Sequence, residues 1–111
     1  MDNQTVSPNR RLTERHRLRT PLKLRILGSN HADHNAESID FSGRGALLET
    51  GLLLQVGSIV ELRLKLPEEL TGQTTTEWRC RGRVVRVARG LPSHGPLRVG
   101  VLFDNLDVSR L

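Results

Sequence analysis

TTEWRCRGRVVRV, residues 75–87, alternates residue by residue. Trp78, Cys80, Gly82 and Val84 fall on one side, and Arg79, Arg81 and Arg83 on the other. A period of two is the signature of a strand with one wet and one dry face. The arginines therefore read as a solvated outer face, joined further on by Arg86. Cys80 reads as a small core residue between Trp78 and Val84.

The same period extends in both directions. Upstream, Val60, Leu62 and Leu64 alternate with Glu61, Arg63 and Lys65 within residues 59–66, and Pro67–Thr74 is a loop by composition. Ala46–Glu49 is a further short strand. Glu37–Phe41 alternates with Ile39 and Phe41 inward, and GSNHADHN (28–35) reads as a turn or loop. Leu22, Leu24 and Ile26 alternate with Lys23, Arg25 and Leu27 directly after Pro21. Downstream, GLPSHGP (90–96) connects to Leu97–Phe103, with Val99, Val101 and Phe103 inward. Asp104–Leu111 reads as the start of a short C-terminal helix.

Five or six short strands joined by Gly/Pro turns, without a long helix, predict an all-β fold, a small antiparallel barrel. Closure removes the exposed edges of so small a sheet. The 111 residues suffice for one domain with a modest core, and 36% hydrophobic with 26% charged residues is an ordinary globular composition. No apolar run approaches the roughly 20 residues that span a bilayer. The N-terminus has no apolar stretch of the secretory kind, and one cysteine forms no internal disulfide, so the expected compartment is the cytoplasm.

Charge divides the chain more sharply than hydropathy does. Residues 1–25 carry seven Lys/Arg against two acids, the whole net charge of +5, and the remainder is neutral. Residues 1–20, polar and without an apolar stripe, read as a flexible basic arm, and 21–111 as the barrel. A basic arm attracts anions: nucleic acid, phospholipid or a phosphorylated small molecule.

Two short elements carry chemistry on this map. RHRLR (15–19) puts Arg15 and Arg19 four residues apart, two guanidinium forks suited to phosphate or to the acceptor edge of guanine. DFSGRG (40–45) places Asp40 and Ser42 at a turn, where a carboxylate accepts and a hydroxyl donates or accepts. Gly43 and Gly45 there permit positive φ or close backbone approach. The same turn needs no ligand to be a tight β-turn with local side-chain bonding, and both readings hold together.

Together these elements resemble the PilZ domain, marked by R-x-x-x-R on an N-terminal arm and [DN]-x-S-x-x-G on the barrel. Arg15 and Arg19 fill the first motif, and Asp40, Ser42 and Gly45 the second. The Arg19–Leu22 lead into a strand and the Val99–Phe103 strand are also similar to the family, so the likeness covers about residues 10–107. It implies a six-stranded barrel that binds the bacterial second messenger cyclic diguanylate (cyclic di-GMP) between arm and barrel. In that reading Arg15 and Arg19 grip guanine edges and phosphates, Asp40 and Ser42 hold a guanine, and Gly45 shapes the turn. Arg11, Gly43 and Arg44 are additional candidates. Arg11 and Arg15 form a second R-x-x-x-R, and the Arg15/Arg19 register is preferred because Arg19 stands nearest the first strand. The family's C-terminal helix is reduced here to a stub.

The implied function is that of a bacterial cytoplasmic sensor whose arm orders on the ligand and signals to a downstream protein. It is not an enzyme: no nucleophile–base arrangement or flanking carboxylate pair is placed by any motif, and no cofactor is expected. His31 and His34 lack a third ligand at metal-binding spacing. Two rivals remain. One is a PilZ-like protein-interaction module without ligand. The other is a nucleic-acid-binding small barrel, disfavoured because the chain has no Tyr and its Trp and two Phe sit inward, away from base stacking.

Overall fold

The computed structural model describes residues 15–28, 32–66, 76–89 and 95–110, with only the backbone of 76 and 105–110. Seven strands run in chain order: β1 His16–Arg17, β2 Pro21–Ile26, β3 His34–Phe41, β4 Gly45–Thr50, β5 Ile59–Lys65, β6 Thr76–Arg89 and β7 Leu97–Arg110. All pairings are antiparallel, and β2 through β7 close on themselves in the cyclic order β3–β2–β5–β6–β7–β4 and back to β3. This is the six-stranded barrel expected from the sequence. The two-residue β1 adds to β3 outside the closed ring, with His16 opposite Phe41 and Arg17 opposite Asp40.

Alternation fills the interior. Leu24, Leu48, Val60, Leu62, Val84, Val99, Phe41 and Cys80 are fully buried, and Trp78 nearly so. Each large aliphatic side chain removed from water contributes about 2 kcal/mol, which a barrel this small needs against the entropy of ordering its backbone. Phe41 and Phe103 meet with ring centroids 5.4 Å apart, tying the end of β3 to β7. Arg79, Arg81, Arg83 and Arg86 are all exposed.

Three bulges interrupt the alternation, and each moves a residue from where strict periodicity puts it. In β3 the register passes from Ser38 opposite Leu48 to Asp40 opposite Leu47, leaving Ile39 over. Ile39 is therefore only half-buried, and Ser38 takes the interior place next to Phe41. In β6 the register passes from Val84 opposite Val101 to Arg86 opposite Gly100, leaving Val85 over. In β7 the residue left over is Asp104. Bulges of this kind add twist and re-aim side chains.

The expected C-terminal helix is not formed. Asn105 to Arg110 continue β7, paired with Arg81 to Thr76 of β6. Asp104, where the expected helix would start, occupies the bulge, and Leu106 and Val108 keep the period of two opposite Cys80 and Trp78. The 14-residue β6 needs a partner along its whole length, and extending β7 supplies it. Among the described residues there is no helix long and apolar enough to cross a membrane.

Candidate ligand-binding site

The arm meets the barrel through Ser38. This buried side chain accepts a hydrogen bond from Thr20 N at 3.1 Å and donates one to the carbonyl of Leu18. Backbone bonds reinforce the contact: Ser38 N donates to Thr20 O at 2.9 Å, and Leu18 N to Ile39 O at 3.1 Å. With Leu18 half-buried against the core, residues 16–20 are laid along β3. Arg15 and Arg19 then project at two different heights over the barrel wall.

Arg15 ion-pairs with Asp40 through its Nη1, across 25 residues of chain. Arg19 instead reaches Glu37 at 2.8 Å and Glu49 at 3.2 Å. Glu49 is shared with Arg98, whose Nε stands 3.3 Å from its second oxygen. The hydrogen bonds that Arg19 donates to Glu49 and then Glu37 raise its pKa above its already high ordinary value, so it stays charged. The same holds for Arg25, raised chiefly by its 2.6 Å hydrogen bond to Glu61, a pair joining β2 to β5.

The β3–β4 turn is held by Ser42. Its Oγ accepts from Arg44 N at 3.1 Å and lies 3.4 Å from Gly45 O, which also accepts from Ser42 N at 2.9 Å. Arg44 O accepts from Phe103 N at 2.7 Å, fastening the turn to β7. Ser42 is buried, its hydroxyl engaged in turning the chain. Gly45 has ordinary negative-φ backbone; what demands glycine is proximity, since a Cβ there would lie 2.3 Å from the carbonyl oxygen of Val101. Gly43 is half-buried at the bend.

These elements surround an open cleft of about 410 Å³. Arg15, Asp40 and Arg44 line one side of it and Arg86 is on its wall. Gly45, Leu47, Gly100, Val85 and Leu102 provide a largely apolar lining, with Val85 and Leu102 about half-exposed. Among the described residues no carboxylate stands within ion-pair distance of Arg44 or Arg86. A cleft with several cations, one carboxylate and apolar walls suits a flat, polar-edged ring carrying phosphate.

Of the residues singled out in the sequence, Arg15, Asp40, Gly45 and Arg44 come together at this cleft. Arg19 stands beside it on Glu37 and Glu49, Ser42 lies beneath the turn, and Arg11 is outside the described residues. His31 is likewise outside them. His34 opens β3, and Asp33 pairs with Arg63; among the described residues no group of three potential metal ligands gathers. Sequence reasoning missed Ser38, which the inward phase of Ile39 and Phe41 put on the outer face, and the place of Arg86 at the cleft, since it read that residue as part of the basic outer stripe.

Comparison with known families matches the PilZ domain model to residues 9–110, nearly the whole chain. No curated protein matches the sequence.

Proposed function

The chain belongs to the PilZ domain family, and on that premise we propose that it binds cyclic diguanylate and acts as its effector in the bacterial cytoplasm. PilZ domains are binding modules rather than enzymes, and the proposed role here is recognition without catalysis. The observation that carries the reading is the meeting of Arg15 from the arm with Asp40, Arg44 and Gly45 of the turn at one cleft. One residue of the first motif, Arg15, and two of the second, Asp40 and Gly45, thus line a single concave surface.

In the proposed complex Arg15 and Arg19 take phosphate oxygens and guanine acceptors, and Asp40 accepts the guanine N–H groups. Arg19 must turn from Glu37 and Glu49 to do so. Exposed ion pairs of that kind are weakly held, so a dianionic ligand competes with them readily. Ser42 acts through the turn rather than by touching the ligand. Drawing both arginines onto the ligand fixes the arm, already bonded along β3 at residues 16–20, over the cleft, and the altered surface is what a downstream protein reads. The ligand shifts this equilibrium only as far as it prefers the ordered arm.

Isothermal titration with cyclic diguanylate, with GTP and cyclic AMP as controls, tests the reading. Selective micromolar binding, about −8 kcal/mol, is expected, with at least tenfold weakening in Arg15→Ala and in Arg19→Ala. No heat at high ligand concentration would return the protein to the class of ligand-free interaction modules.

A further inference from the structure

Arg86 owes its position to the bulge in β6. Val84 is fully buried, and strict alternation from it would turn Arg86 inward and Val87 outward. The extra residue Val85 reverses that: Val85 and Arg86 both lie outside, and Val87 packs against the core. A buried, unpaired guanidinium would be heavily penalised, and the bulge avoids this while delivering Arg86 to the cleft wall.

The register then places Arg86 in a row that crosses the barrel wall. Arg86 is opposite Gly100, Gly100 opposite Leu47, and Leu47 opposite Asp40. Three inter-strand steps put roughly 14 Å of sheet between Arg86 and Asp40. One step from Arg86, Gly100 leaves a trough where a side chain would otherwise stand. A Cβ at Gly100 would meet only Arg86 Cβ at 3.5 Å and Val85 Cγ2 at 3.9 Å, ordinary contacts, so neither crowding nor a positive φ requires glycine there.

We propose that Arg86 is a further ligand-binding residue. It grips the half of the cyclic dinucleotide remote from Asp40, with Gly100 as the floor beneath the ligand and Val85 and Leu102 as its apolar walls. This rests on the cyclic diguanylate reading. A two-base, two-phosphate ligand has a second polar half for Arg86 to meet. A cation without a carboxylate partner among the described residues, held at the opposite wall of the cleft from Arg15 and Asp40, is placed to meet it.

Titration of Arg86→Ala with cyclic diguanylate, beside the parent, Arg15→Ala and Arg83→Ala, tests the assignment. Arg83 is an exposed arginine of the same strand that does not line the cleft, so its loss removes equal charge without removing the contact. Arg86→Ala is expected to weaken binding at least tenfold, Arg86→Lys to recover only part of it because ammonium lacks the planar fork, and Arg83→Ala to stay within twofold. Gly100→Leu, with an unchanged melting temperature, should abolish binding by filling the trough. Parent binding that Arg15→Ala weakens but Arg86→Ala leaves within twofold overturns this proposal alone, as does equal damage from Arg83→Ala. A parent that does not bind overturns the sensor reading and this proposal with it.

Discussion

Ser38 and Thr20 are joined by two hydrogen bonds, Ser38 N to Thr20 O at 2.9 Å and Thr20 N to Ser38 Oγ at 3.1 Å. The hydroxyl proton goes to Leu18 O, so one buried side chain spans the residues on either side of Arg19. Ser38→Ala leaves the Thr20 N–H and the Leu18 carbonyl each one partner short. The expected loss is about 1–2 kcal/mol of stability in urea denaturation. Binding of cyclic diguanylate should also fall severalfold, since the segment that aims both arginines is loosened. Unchanged affinity with reduced stability would show that the arm is positioned by the ligand and not by Ser38.

Gly45 and Gly100 line the same cleft for different reasons, and alanine separates them. At Gly45 the new methyl would stand 2.3 Å from Val101 O, and backbone must move. Forced overpacking of this kind costs about 1–3 kcal/mol, and at roughly 4–8 °C per kcal/mol the melting temperature drops visibly. At Gly100 the methyl meets only atoms at 3.5 Å and beyond, so Gly100→Ala should melt within a few degrees of the parent. Equal melting temperatures for the two variants would mean that β4 and β7 are not so closely apposed at Gly45.

Strand identity was legible wherever alternation ran unbroken: Val60, Leu62 and Leu64 in β5, and Trp78 to Val84 in β6, are buried as their spacing requires. What could not be read was the phase after a bulge. Ile39, Val85 and Asp104 each shift it by one, and nothing local distinguishes such a residue from its neighbours. Hence Ser38 passed unnoticed at a core position, and the exposure of Arg86, which its place in the stripe anticipates, rests on a bulge that alternation does not show. The last six residues of β7 read as the start of a helix, and their strand character comes from a partner more than twenty residues away. In the site, residue types pointed to Arg15 and Asp40, whereas Ser42's engagement in the turn and Arg19's hold on Glu37 and Glu49 are tertiary facts.

The Arg15–Asp40 pair can be tested as tether and as ligand contact separately. Arg15→Asp and Asp40→Arg singly place like charges together, and each should reduce amide protection of residues 16–20 in hydrogen exchange. Combined, they restore an opposite-charge pair and with it that protection. Ligand binding should remain at least tenfold below the parent in the double variant, because the guanidinium and carboxylate have exchanged places. Recovery of binding along with protection would reduce the pair to a tether.

Arg19 offers the sharpest test, because its partners in the unliganded protein compete with its proposed role. Glu49 and Glu37 hold the guanidinium beside the cleft, the first while also engaging Arg98. Neutralising both, as Glu37→Gln with Glu49→Gln, removes the competing charges without removing any cation. If Arg19 turns onto the ligand, the double variant should bind cyclic diguanylate severalfold more tightly than the parent, and the gain should vanish when Arg19→Ala is added. The second condition matters, since two fewer negative charges near the cleft favour any anion through the general field. A gain that persists without Arg19 belongs to that field, and raising the salt concentration should then erase it. A gain confined to chains that keep Arg19 identifies the guanidinium as the group that changes partners.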